Sequence, residues 1–274
     1  MKIGLIGAGR LGLCLALLMD KAGYSVIASD VREDYIDGLQ RGEITTTEPL
    51  VGQYLDSARR IEFTTDNLRV IEESDIIFTL VLTPSLENGS YDVSNVDDVV
   101  SDILKYGWDK DLSNKSLVIG CTTNPGDCDF FQDRLSETGI SVFYNPEFIA
   151  QGSIIKDLQN ADMVLLGGDG KHKGNLVNIY KKIQYGYKEP SIHFMSTKAA
   201  EIVKIAINTF LTTKISYANM LGQVLCKSGL QDEVDNVLGA IGSDTRIGKK
   251  YMNFGFGFGG PCFPRDNRAF AKYA

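Results

Sequence analysis

The stretch GFGFGGPCFPRD at residues 255–266 sets one thiol, Cys262, among glycines, phenylalanines and two prolines, with Arg265 and Asp266 just after it. A cysteine so placed is either a packing residue in a glycine-rich turn or a nucleophile within reach of a substrate. A second set of residues with chemical meaning opens the chain. Gly7, Gly9 and Gly12 satisfy G-x-G-x-x-G directly after the apolar run KIGLI, and an apolar stretch follows from Leu11 to Ala22. Between a strand and a helix, such glycines allow a tight turn and bring the backbone close to a pyrophosphate, which the helix N-terminus then attracts. Asp30 ends the next strand-like run, where a carboxylate accepts from ribose hydroxyls and repels a 2′-phosphate. This favours NAD over NADP, and Arg32 stands close enough to soften the preference.

Three further sets carry polar groups in suggestive places. Glu147 and Gln151 stand at i,i+4 in NPEFIAQGSIIKDL, where Asn145-Pro146 marks a turn and a helix start, and the plain reading is a capped surface helix. Glu201, Lys204, Asn208 and Thr212 form one stripe on an otherwise apolar helical stretch. Pattern alone favours a solvated face for that stripe over a row of groups aimed into a cleft. Thr83 and Thr122 each follow a strand-like run, and strand ends line the ligand crevice of a doubly wound sheet.

The elements that must position these residues read as alternating strands and helices. Residues 2–6, 25–29, 61–65, 76–81, 116–120, 141–145, 163–168 and 192–196 are strand-like, with helical segments near 33–40, 94–105, 127–138 and 171–183. The expectation is an α/β fold with a parallel, doubly wound sheet over residues 1–195. From residue 197 to about 228 one long helix follows, then another at 231–240, so residues 196–274 form a small helical domain. The chain of 274 residues has a net charge of −7 and no basic stripe, which argues against nucleic acid as a partner. No apolar run has the length of a membrane span. Five cysteines without a CxxC, and only two histidines, argue against a disulfide scaffold or a metal site and for a reducing cytoplasm.

Taken in order, GLIGAGRLG, FTLVLTP, CTTNPGD, NPEFIAQGSIIKDLQNADMVLLGG, EIVKIAINTFLTTKIS, SDTRIG and GFGFGGPCFPRD resemble the UDP-glucose 6-dehydrogenase family of nucleotide-sugar dehydrogenases. The resemblance implies an NAD-dependent enzyme that oxidises a sugar's primary alcohol twice, to the carboxylate; apart from it, an exposed apolar face on the long helix 197–228 needs burial, so the expectation is a homodimer formed through that helix. The resemblance places Cys262 on the catalytic thiol, Lys204 and Asn208 on the active-site lysine and asparagine, and Asp266 on the aspartate beside the cysteine. Glu147 falls on an acid/base glutamate, and Thr122 on a threonine that helps place water. Cofactor contacts fall on Gly7, Ala8, Gly9, Arg10, Leu11, Gly12, Asp30, Thr83, Thr122 and Gln151. Substrate contacts fall on Glu147, Phe148, Gln151, Lys204, Asn208 and Arg246, and on Asn253, Phe254, Gly255, Phe256, Gly257 and Gly259.

The chain departs from the family pattern at several points. Gln151 replaces a second glutamate and loses its charge. Cys121 and Asn124 replace the Ser and Pro of the usual STVP, Pro261 replaces a Ser, and Arg265 replaces a Lys. The family continues past this point into a second Rossmann-like domain, so the expectation is a chain that lacks the domain closing the nucleotide-sugar site. Within this resemblance, Lys204 and Asn208 stabilise the oxyanion, Cys262 holds the aldehyde as a thiohemiacetal and then a thioester, and Glu147 activates the hydrolytic water. The rival readings are oxidation of GDP-mannose or a UDP-N-acetylhexosamine, and a dinucleotide-binding, dimerising fragment without turnover. A one-step 2-hydroxy-acid or 6-phosphogluconate dehydrogenase shares the first glycine motif but gives Cys262 no role.

Overall fold

Short apolar runs, mostly buried except in the two edge strands, build the sheet of this computed structural model, which describes residues 1–150, 152–189 and 191–274. The strands are β1 (Lys2–Ile6), β2 (Ser25–Ser29), β3 (Ile61–Thr64), β4 (Ile76–Thr79), β5 (Ser116–Ile119), β6 (Ser141–Tyr144), β7 (Val164–Gly167) and β8 (Ile192–Met195). Every side chain of β4, β5 and β7 is buried, as strands covered on both faces require. The order across the sheet is β3-β2-β1-β4-β5-β6-β7-β8. The chain thus winds outward in one direction from β1 and then in the other from β4. Ile6 at the end of β1 pairs with Ser29 of β2 on one side and Thr79 of β4 on the other. The crevice of a doubly wound sheet opens at such a reversal.

One pairing departs from the all-parallel expectation. β6 and β7 meet antiparallel through Tyr144 and Gly167, while β7 and β8 are parallel to each other. A chain that returns in the opposite direction needs no helix long enough to cross the sheet's face. The intervening helix α7 (Ile154–Gln159) has only six residues.

The other helices of this region are α1 (Arg10–Lys21), α2 (Glu33–Arg41), α3 (Val51–Ser57), α4 (Asn67–Glu73), α5 (Ser94–Tyr106), α6 (Asp127–Arg134) and α8 (Lys173–Ile183). α1 is buried at nine of its twelve residues and packs with α3, α7 and α8, whereas α4 packs with α5. Burial of Leu13, Leu15, Leu17, Leu18 and Met19 joins α1 to the core under the first strands. At its far end the buried Asp20 accepts from the backbone N–H of Arg59 and Arg60 at 3.1 and 2.6 Å. Trp108, on the turn after α5, is 91% exposed.

A 31-residue helix, α9 (Thr197–Lys227), follows β8, then α10 (Val234–Ser243) and α11 (Phe263–Tyr273). The chain divides into two compact units, and the division falls inside α9. Unit one comprises Met1–Pro84 and Tyr91–Glu201; unit two comprises Ser85–Ser90 and Ile202–Ala274. Unit two has its own small core of Ala218, Val234, Leu238 and Met252, with Leu221, Leu225, Ile241 and Phe254 packed around it. Among the described residues no helix is long and apolar enough to cross a membrane.

Candidate active site

Unit one holds a cavity of about 660 Å³ at the reversal point of the sheet. Its wall includes Gly7, Gly9, Arg10, Leu11, Gly12 and Asp30. The glycines are required for different reasons. Gly7 has φ +98°, and a Cβ there would lie 2.7 Å from Leu80 O. A Cβ on Gly12 would lie 2.1 Å from Gly7 O, so the first turn of α1 could not approach the strand end. A Cβ on Gly9 would meet nothing within 4 Å, so only the missing side chain leaves this place open. No side chain among the described residues caps α1 at Gly9, and a helix N-terminus without a cap offers backbone N–H groups and positive dipole to an anion. The cradle therefore fits a dinucleotide pyrophosphate. The loop is fixed from behind, because Gly7 N and Ala8 N both donate to Ser29 O at 2.8 Å.

Val31 and Leu82 stand at the cavity wall 83% and 82% exposed, apolar surface that suits a flat ring. Of the remaining residues expected at the cofactor, Ala8 is fully buried and Thr83 nearly so, and neither they nor Thr122 belong to the wall. Gln151 lies outside the described residues. Asp30 is engaged: Arg32 Nε donates to its Oδ1 at 2.8 Å and Arg32 Nη2 to its Oδ2 at 2.9 Å.

Thr122 lies half-buried on the loop between β5 and α6, and a buried carboxylate organises that loop. Glu201 Oε1 accepts from Thr123 Oγ1 at 2.8 Å and Cys128 N at 2.9 Å, and its Oε2 accepts from Gly126 N at 2.6 Å. Burial raises the Glu201 carboxyl above its ordinary range, against the lowering effect of these donors. Asn124 adds a second tie, accepting from Tyr91 N at 2.8 Å and donating to Tyr91 O at 2.9 Å. The solvated-face expectation for the stripe of α9 is therefore corrected: Glu201 is fully buried and Thr212 4% exposed, because each has polar partners inside its own unit.

Glu147 follows β6 on an irregular segment rather than on the expected helix, which starts only at Ile154. Side chains bind this segment's N–H groups instead: Glu48 accepts from Gly152 at 2.8 Å and Asp157 from Ala150 at 2.8 Å. The Tyr180 hydroxyl lies 2.6 Å from Glu147 Oε1 and also reaches Asn145 Oδ1, yet its single proton serves one of them at a time. Burial, with the Glu147 charge beside it, pushes the Tyr180 phenol well above its ordinary value and keeps it a donor.

In unit two, Cys262 is exposed at the head of α11, the end of a helix that favours negative charge. The glycine-rich stretch thus gives way to a helix directly after the thiol. One turn on, Asp266 is 3% exposed, and Asn208 Nδ2 donates to its Oδ2 at 2.5 Å. Thr212 Oγ1 donates to Asn267 Oδ1 at 3.0 Å, a second link between α9 and α11. Lys204 lies half-buried on α9, one turn before Asn208. Arg246 is paired with Asp244, its Nη2 2.6 Å from Oδ2. Asn253, Phe254 and Phe256 line a cavity of about 500 Å³, whereas Gly255, Gly257 and Gly259 lie exposed outside its wall. Asn219 holds this loop to α9, donating to Phe256 O at 2.6 Å and accepting from Gly255 N at 2.9 Å.

The cysteines separate cleanly. Burial pushes the thiols of Cys14 and Cys121 up to about 12 and that of Cys128 well above the ordinary value, so all three stay protonated. Cys226 and Cys262 are the exposed pair. Sequence reading missed Glu48, Tyr180 and Asn219. A polar side chain on an apolar helix face could have pointed to Asn219, but nothing near Glu48 or Tyr180 announces partners so distant in sequence.

The NAD-binding domain of the UDP-glucose/GDP-mannose dehydrogenase family matches residues 1–184, and that family's central domain matches residues 198–274. The chain belongs to this family, and its N-terminal unit is an NAD-binding domain of that type. It is 32% identical to the UDP-glucose 6-dehydrogenase of Rhizobium meliloti (strain 1021), over all of this chain and 63% of that protein. It is 30% identical to the putative UDP-glucose 6-dehydrogenase YtcA of Bacillus subtilis (strain 168), over 98% of this chain and 62% of the relative. Among solved structures, a UDP-glucose dehydrogenase from Pyrobaculum islandicum superposes with a TM-score of 0.87 at 28% identity, covering 99% of this chain and 63% of that one. A GDP-mannose dehydrogenase from Pseudomonas aeruginosa gives 0.75 at 27%, covering all of this chain and 64% of that one. The chain spans less than two thirds of the length of these relatives.

Proposed function

We propose that the protein takes part in the NAD-dependent, four-electron oxidation of a nucleotide sugar, UDP-glucose to UDP-glucuronate, with Cys262 as the covalent nucleophile. The observation that carries this reading is the head of α11, where an exposed thiol stands one turn before a buried aspartate bonded to Asn208. Bound in the glycine cradle, NAD would supply the acceptor for each hydride leaving the sugar carbon. The residues of the chain do the rest. Water held by Asp266 takes the proton of the 6-hydroxyl, and Lys204 and Asn208 stabilise the oxygen's developing charge. The Cys262 thiolate adds to the aldehyde carbon to form a thiohemiacetal. After the second oxidation the carbon is a thioester; water placed by Thr122 and deprotonated by Glu147 attacks it, and the thiolate leaves. Phe148, Gln151, Arg246 and residues 253–259 hold the sugar nucleotide in this reading. Thr83, Thr122 and Gln151 complete the cofactor contacts.

Cys262→Ala is expected to abolish uronate formation from UDP-glucose and NAD, measured by chromatography of the products. Uronate made at the unaltered rate would overturn the assignment. A parallel assay with GDP-mannose and a UDP-N-acetylhexosamine separates the sugar classes. NAD binding without NADH formation on any of them would favour a binding fragment. Phe210, Tyr217 and Val224, seven residues apart on α9, are 64%, 47% and 51% exposed, which supports pairing with a second copy of the chain. Light scattering on Tyr217→Glu tests it; a mass unchanged from a dimeric parent would remove this face from the interface. A reducing, cytoplasmic setting is consistent with five free thiols.

A further inference from the structure

We propose that Arg32 admits a 2′-phosphate to the adenosine end of the unit-one cavity, so that the site binds NADP nearly as well as NAD. The inference rests on the dinucleotide reading of that cavity and concerns which dinucleotide it takes. A carboxylate at the end of β2 selects NAD by two means: it accepts from ribose hydroxyls, and its charge repels a phosphate. In this chain the second means is cancelled locally. The Asp30 side chain is 9% exposed, and both its oxygens receive the fork of Arg32. The pair is neutral as a unit, and the bond to Asp30 holds Arg32 firmly charged.

The guanidinium is also well placed to receive an anion. Its side chain is 56% exposed, and both Asp30 and Arg32 belong to the cavity wall. A guanidinium has five N–H donors, and the Asp30 fork uses two, which leaves three for phosphate oxygens. Its carbon sits 4.2 Å from the centre of the Tyr35 ring, a cation–π contact that fixes the plane of the fork. Tyr35 is itself anchored, its hydroxyl donating to Ala8 O at 3.0 Å within the glycine loop. The opposing charges are weakly placed. Glu33 and Asp34 in the first turn of α2 are exposed, so water and salt screen them. Asp98 and Arg10, of opposite charge, both belong to the cavity wall.

Calorimetric titration of the protein with NAD and with NADP tests the inference without any turnover. The expected result is an NADP dissociation constant within about tenfold of that for NAD, with the ratio of NADP to NAD affinity falling by about 30-fold in Arg32→Ala, the scale of a lost charge-assisted contact. Arg32→Lys, which keeps the charge without the fork, should restore part of that ratio. NAD binding to the parent protein with no NADP binding would overturn the inference and leave the dinucleotide reading intact. So would an affinity ratio unchanged in Arg32→Ala. If the parent protein binds neither dinucleotide, the cavity reading itself falls, and the inference with it.

Discussion

The two glycine-rich loops use one residue type for opposite reasons. In unit one, Gly7 and Gly12 are glycine because backbone stands where a Cβ would be, 2.7 and 2.1 Å away. In unit two, Gly255, Gly257, Gly259 and Gly260 have nothing within 4 Å of that position; Gly255 and Gly260 are held to glycine only by φ of +87° and +72°, and Gly257 and Gly259 by neither contact nor φ. The first loop is set by its neighbours, and its spacing follows from the geometry of a strand turning into a helix. The second is an exposed surface segment tied to α9 mainly by Asn219. A position dictated by steric contact or by a left-handed φ can be read without relatives, whereas Gly257 and Gly259, which have neither, take their meaning from a ligand.

Substitutions at these glycines give the strongest test of the contrast. Gly12→Ala should cost more than about 3 kcal/mol, since the added carbon meets backbone that cannot step aside. Thermal denaturation would measure it, and Gly259→Ala should leave the melting temperature unchanged. Equal losses at the two sites would erase the distinction. Gly9→Ala isolates the cofactor effect: it should fold normally, because the space is open, yet weaken NAD at least tenfold by filling the cradle. Next in size is Glu201→Ala, which strands three donors of the Thr122 loop and should cost about 3 kcal/mol, a fall of roughly 6–12 °C. Asn219→Ala, which removes two contacts from an exposed loop, should cost about 1 kcal/mol and leave NAD affinity as it was.

Acid sensitivity makes the smallest distinction. Both histidines, His172 and His193, lie in unit one. Burial lowers the pKa of His172, whose Nδ1 lies 3.0 Å from Ser116 Oγ. The fold therefore favours the neutral ring. The unfolded chain binds the extra proton more readily, so this contribution is present above about pH 6.5 and is lost as the pH falls. His172→Gln should flatten the fall in stability between pH 7 and 5; an unchanged profile would assign that fall to other groups.

The inner strands were legible because each is a short apolar run closed by turn residues and buried on both faces; the edge strands β3 and β8, partly exposed, were legible from their apolar and aromatic residues between turn signals. α3 and α4 escaped notice because seven residues give too little periodicity, and α7 was expected to begin some eight residues too early. The reversal of β7 was invisible, since direction within a sheet is a property of the return path and not of the strand's own residues. At the candidate site, spacing identified Gly7, Gly12 and Asp30, but residue type misjudged Glu201. A carboxylate on a helix is normally solvated, and only donors from a loop more than seventy residues upstream make its burial tolerable. Cys262 took its meaning from resemblance, and Arg32 took its own from a fork that neither composition nor period encodes.

Trp108 has an experimental consequence. It is the chain's one tryptophan and stands almost wholly in water. Its emission is already that of an unfolded chain, so fluorescence excited at the indole band would hardly change when either unit melts. Near-ultraviolet signals will report on unfolding chiefly through the tyrosines, several of which, Tyr144 and Tyr180 among them, are sealed in the core. A tryptophan introduced in place of Phe254, beside the core of unit two, would give that unit a spectral voice of its own.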